Sequence, residues 1–93
     1  MLVVRNCFVC KPGHASRLAA QLKGAAAVAK ISNHRVLTDL TGDFNRVILE
    51  YEAEDGEFEA RVRDYHTNAA FLEKMKGYTD LWTTGSREIL QIA

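Results

Sequence analysis

Apolar residues along this chain alternate, then recur in threes and fours, then alternate again, and the whole progression runs twice. From Leu2 to Cys10 one face carries Leu2, Val4, Asn6, Phe8 and Cys10, and the other carries Val3, Arg5, Cys7 and Val9. That alternation predicts a strand, and two largely apolar faces predict that both are covered. Lys11-Pro12-Gly13 ends it, because proline has no N–H to give the ladder and glycine permits the turn. Leu18, Leu22, Ala26 and Ala29, flanked by Ala15, Ala19 and Ala25, then predict a helix over about His14–Ala29. A hairpin follows, with strands His34–Thr41 and Arg46–Ala53 joined through Gly42-Asp43-Phe44-Asn45. Val47, Leu49 and Tyr51 are expected to face the helices, and Arg35, Asp39, Arg46 and Glu50 to form cross-strand ion pairs.

The second helical region is expected to begin at an Asp55 N-cap, with Glu57 and Glu59 at the positive end of the helix dipole. Phe58, Val62, Tyr65, Ala69 and Leu72 make one stripe. Phe71, Met75, Tyr78 and Trp82 make a second, displaced by one residue or ~100°. The shift predicts a break near Thr67-Asn68, with Asn68 capping a new segment. Gly85 is read as closing that segment and Arg87–Ile92 as the last strand.

The order is therefore βαββαβ. It predicts an α+β fold of the ferredoxin-like class, a four-stranded antiparallel sheet with two helices on one face, as a single domain over residues 1–93. Two helices cover one sheet face only. Leu37 and Ile48 project from the other, and a second copy of the chain would remove that apolar patch, so a homodimer through the sheet faces is expected.

Composition narrows the partners. Hydrophobic residues at 47% with a single proline exclude a disordered tail. Twelve basic and twelve acidic residues cancel, which argues against nucleic acid or an anionic membrane. The third strand, Arg46-Val47-Ile48-Leu49-Glu50-Tyr51, also lacks the aromatic motif of RNA-binding domains with this element order. No apolar run is long enough to span a bilayer, and the apolar start is too brief for a signal peptide, so a cytoplasmic location is expected.

Cys7 and Cys10 spell C-x-x-C, a spacing used by redox pairs and metal sites. Within a strand, at ~3.3 Å per residue, their Cα atoms lie roughly 10 Å apart on opposite faces, whereas a disulfide tolerates less than about 7 Å. Two reduced, buried cysteines are expected. His14 and His34 fall in turns, and no metal-ligand spacing joins them to Cys10.

Leu2–Cys10 running into Lys11-Pro12-Gly13, the helix with Arg17-Leu18 and Leu22, the central hairpin and the ending Gly85-Ser86-Arg87-Glu88-Ile89 resemble the dimeric α+β barrel superfamily. That group includes the antibiotic-biosynthesis monooxygenase, stress-responsive barrel and NIPSNAP types. The resemblance implies a homodimer with a small-molecule pocket between helices and sheet in each subunit. In the monooxygenase branch it implies either cofactor-free oxidation of activated aromatic substrates or degradation of haem. The haem-degrading members use an asparagine, a tryptophan and a histidine. Asn6 falls on the first position, Tyr51 takes the tryptophan's place and Met75 the histidine's, so two of the three depart. His66 matches a histidine common in the wider superfamily.

Asn6 is polar on an otherwise apolar strand face, and a buried amide without partners costs about 1–3 kcal/mol. It either bonds neighbouring backbone or buried water, or serves a pocket as a donor to a developing oxyanion. His66 lies about 100° from the core stripe; it is either a solvated rim residue or a general base near neutral pH. Tyr51, Phe71, Met75 and Trp82 read as core, or as the lining of a pocket for a planar ligand. The leading expectation is a homodimeric small-molecule-binding protein, a cofactor-independent monooxygenase of a small aromatic or enolic substrate, with Asn6 and His66 catalytic. The alternative is a non-catalytic ligand-binding or accessory dimer. A third reading, a soft-metal carrier through Cys7 and Cys10, requires both thiols on a loop.

Overall fold

A computed structural model describes all of residues 1–93. Strand β1 (Leu2–Cys10) leads to helix α1 (Ala15–Val28), then strands β2 (Arg35–Thr38) and β3 (Arg46–Ala53). Helices α2 (Phe58–Thr67) and α3 (Ala69–Lys74), a 3₁₀ turn (Tyr78–Asp80) and strand β4 (Trp82–Gln91) complete the chain. The antiparallel sheet has the order β2-β3-β1-β4, so the fold is ferredoxin-like, as the periodicity predicts.

Register explains which side chains meet. Asn6 stands opposite Leu49 on β3 and Arg87 on β4, and Val4 stands opposite Tyr51 and Ile89. These residues share the inner, helix-covered face. Leu18, Leu22, Val4 and Val47 are its largest fully buried side chains, each stabilising the fold by about 1.5–3 kcal/mol relative to exposure. Leu49, Tyr51, Ile31 and Leu81 extend the same core.

The outer face is organised by charge. Glu50 is 6% exposed although no helix covers it. Arg5 Nε donates to its Oε1 at 2.6 Å, and Arg35 Nε to its Oε2 at 2.5 Å. The four hairpin residues expected to form ion pairs do so, as Arg35–Glu50 and Arg46–Asp39, and Arg5 is an additional partner of Glu50. Around them Val9, Leu37 and Leu90 remain 37–42% exposed. The inner face of β1 is covered, as expected, and its outer face is not.

Several boundaries differ from expectation. β2 ends at Thr38 rather than Thr41, and the loop beyond it exposes Leu40 and Phe44. Asp55 does not cap α2; its carboxylate binds the Met1 amine at 2.7 Å, and α2 begins at Phe58 behind Glu57, whose side chain makes no cap. The break at Asn68 is where the displaced stripes place it. Asn68 Oδ1 accepts from the Phe71 amide at 3.0 Å, a side-chain N-cap for α3.

The largest difference lies after α3. Gly85 does not end a helical segment; it sits inside β4, opposite Phe8. A Cβ there would meet Trp82 Cζ3 at 3.4 Å and Phe8 Cδ1 at 3.5 Å, so the missing side chain admits two aromatic rings. Phe71, Met75, Tyr78 and Trp82 are thus not one helical stripe. Gly77, in the left-handed region at φ 78°, turns the chain out of the helical region. A helix, a turn and a strand then bring the four residues over one core. Cys7 is also only half-buried, on the outer face, while Cys10 is buried in the core; both are free thiols.

Candidate functional site

The inner face of β1 and β4 does not meet α3 directly, and a cleft of about 590 Å³ lies between them. Its floor is Asn6 and Phe8 from β1, Leu49 from β3, and Gly85, Ser86 and Arg87 from β4. Leu22 and Ala25 of α1, Phe71 and Leu72 of α3 and Met75 at its C-cap form its walls, with Tyr78 and Trp82 closing one side. His66, at the end of α2, stands on the lip. The volume is typical of a site for a small organic molecule.

Aromatic packing holds the walls. Phe8 and Trp82 lie 5.2 Å apart between ring centroids, and Tyr78 lies 6.2 Å from each. Tyr65 backs Phe71 at 6.1 Å. Such contacts are worth about 0.5–1.5 kcal/mol beyond their area. The Trp82 indole nitrogen is buried without an acceptor.

One end of this apolar cleft is polar. Arg87 Nε donates to Asn6 Oδ1 at 2.7 Å, and the guanidinium carbon lies 5.6 Å from the Phe58 ring centroid. Asn6 is therefore held by a side chain. With its oxygen turned to the arginine, its NH₂ group is the end left to donate elsewhere. Burial pushes the Tyr51 hydroxyl above its ordinary pKa, while the Arg87 charge and the Asn6 amide pull against that shift.

Asn6, His66, Phe71, Met75 and Trp82 thus share one cleft. Tyr51 does not line it: it is buried one inner-face position along β3 from Leu49, with its ring edge-on to Tyr65 at 6.2 Å. His66 is exposed and makes no hydrogen bond. Arg87, noted in the sequence only as the start of the last strand and part of the ending Gly85-Ser86-Arg87-Glu88-Ile89, is the site residue that sequence reasoning did not single out; only the pairing of β4 with β1 sets it beside Asn6. Nowhere do three or more His, Cys, Asp or Glu residues gather as a metal set. No helix is long and apolar enough to cross a membrane.

The sheet order and the helices packed over one face define the class of fold, a ferredoxin-like α+β domain. An uncharacterised NIPSNAP domain protein from Burkholderia xenovorans superposes with a TM-score of 0.84 at 14% identity, covering 100% of this chain and 95% of that one. A NIPSNAP family protein from Agrobacterium tumefaciens gives 0.80 at 12% identity, covering 99% and 92%. A Chloroflexus aurantiacus protein, provisionally described as an antibiotic biosynthesis monooxygenase, gives 0.78 at 12% identity, covering 99% and 93%. Identities this low establish a common fold. No family model and no curated protein matches the sequence.

Proposed function

We propose that this protein is a homodimer whose subunits each bind a small planar organic molecule in the cleft and oxidise it with molecular oxygen, without a cofactor. The observation that carries the reading is the cleft itself: aromatic and methionine walls ending at an oriented asparagine, with a histidine at the lip. The likeness to a protein provisionally described as an antibiotic biosynthesis monooxygenase agrees with it.

In this reading His66 takes a proton from a phenol or enol, and the NH₂ of Asn6 donates to the oxyanion that forms. The electron-rich anion passes one electron to oxygen, and the resulting radicals join to form a carbon-bound peroxide. Loss of water leaves a carbonyl. The net change is CH₂ plus O₂ to C=O plus H₂O, and the substrate supplies all the electrons. Oxygen uptake with hydroxyaromatic, quinol and enol substrates tests this. Uptake above the protein-free rate should fall by about 10²-fold or more in His66→Ala. Uptake unchanged in both His66→Ala and Asn6→Ala would remove the assignments.

A binding module without turnover is the second reading, favoured by the exposed His66 that no hydrogen bond orients. A ligand bound without oxygen uptake would select it. A metal carrier fits poorly, because Cys7 lies on the outer face and Cys10 in the core. The dimer rests on Val3, Cys7, Val9, Leu37, Ile48 and Leu90, which make the outer sheet face apolar around the Arg5–Glu50–Arg35 cluster. Sedimentation should give twice the chain mass.

A further inference from the structure

The charge of the cleft is set by Arg87 alone. Of the four arginines on the sheet, Arg5, Arg35 and Arg46 are on the outer face, each within 4.0 Å of a carboxylate. Arg87 is on the inner face and pairs with none. Its Nε is taken by Asn6, and its two terminal nitrogens, exposed at the mouth of the cleft, bond no other group of the protein. No residue lining the cleft is acidic, and His66 is the only other titratable lining residue of basic type. Yet the chain as a whole has as many acids as bases. A cation left unpaired at the end of an apolar cleft, in a chain with twelve acids available, is suited to an anion brought from outside.

The geometry also selects the kind of anion. The Asn6 bond and the Phe58 ring restrict the guanidinium plane, and the planar edge that remains has two parallel donors. That edge matches a carboxylate, which accepts in the same plane through two oxygens. The ring of the ligand would then lie between Phe8, Phe71, Met75 and Trp82.

We infer that the cleft selects planar aromatic or enolic carboxylates, with Arg87 as the specificity-determining residue that receives the carboxylate. This rests on the binding reading above and narrows its substrate class.

The test is a titration of the nitrogen-15-labelled protein with trans-cinnamate and with the neutral, nearly isosteric cinnamamide. The single tryptophan, Trp82, lines the cleft, so its indole signal reports occupancy there. Cinnamate should bind at least about tenfold more tightly than cinnamamide, the scale of a charge-assisted hydrogen bond. Arg87→Gln should lower cinnamate to the affinity of the amide, and Arg87→Lys should retain part of the preference. Equal affinity of the two ligands for the unmodified protein overturns the carboxylate inference and leaves the planar-ligand cleft standing. Cinnamate affinity unchanged in a folded Arg87→Gln variant overturns it likewise. If neither ligand moves the Trp82 signal, the cleft reading fails and this inference fails with it. The comparison in the unmodified protein decides the matter even if Arg87→Gln does not fold.

Discussion

Glu50 offers a test of how much an ion cluster on an uncovered sheet face contributes. Its side chain is only 9% exposed, and each oxygen faces one arginine, Oε1 the Nε of Arg5 and Oε2 both Nε and Nη2 of Arg35. Glu50→Gln preserves the volume but removes the charge. Its NH₂ end must then face a guanidinium, so one charge-assisted bond is lost and two cations are left without a counter-ion. Such a bond is worth about 1.5–3 kcal/mol when desolvated. Arg5 and Arg35 are 44% and 64% exposed, however, and regain water when released. That moves the value toward surface pairs, which contribute about 0.2–1 kcal/mol. A loss of about 1.5 kcal/mol at neutral pH is expected. The hydrogen bond from Arg5, with the Arg35 bond and both charges, holds the Glu50 carboxyl below its ordinary 4.5, although burial acts the other way. A depressed folded value means that the charged form stabilises the fold above the unfolded pKa. The stabilisation fades as pH falls through the lower folded value. Urea denaturation of both proteins, at one fixed concentration because a dimer is proposed, should show a constant gap from neutral pH down to 4.5 and a closing gap below it. A neutral-pH gap under about 0.3 kcal/mol would place the cluster among the exposed pairs that contribute little. A gap that persists in acid would show that the charge of Glu50 is not its source.

Leu18→Ala empties a site with no exposed surface and should destabilise by about 3 kcal/mol in the same assay. Asn68→Ala removes the cap of the six-residue α3; a loss of about 1 kcal/mol is expected, together with weaker ligand binding, since Phe71 and Met75 ride on that helix. Burial raises the Cys10 thiol above its ordinary pKa, which lowers its thiolate fraction. A mild thiol reagent should therefore reach Cys10 only as the protein unfolds, and Cys7, on the outer face that the proposed dimer covers, once the dimer dissociates. Leu37→Glu combined with Leu90→Glu places charge on the outer face and should convert the proposed dimer to monomer in sedimentation; an unchanged mass would remove that face as the interface.

Much of the fold is legible locally. Alternation in β1 and β3, the leucine and alanine stripe of α1, and the one-residue displacement that locates Asn68 all depend on residues near one another in the chain. That Arg35, Asp39, Arg46 and Glu50 form ion pairs was legible too, since all four fall within one hairpin; the fold decides which pairs with which. What misled was also local. Phe71, Met75, Tyr78 and Trp82 have helical spacing, and Gly85 has the look of a helix stop. Spacing cannot tell one helix from a helix, turn and strand folded over the same core. Pairing of β4 with β1 settles that, and most of the chain lies between those two strands. The candidate site divides in the same way. Asn6 stands out in the sequence because it interrupts an apolar face, and the methionine and aromatic residues stand out by type. Arg87 does not, because an arginine on a strand is usually solvated or paired. Its meaning comes from the register that sets it opposite Asn6 and from the absence of any carboxylate beside it, and both are properties of the assembled sheet.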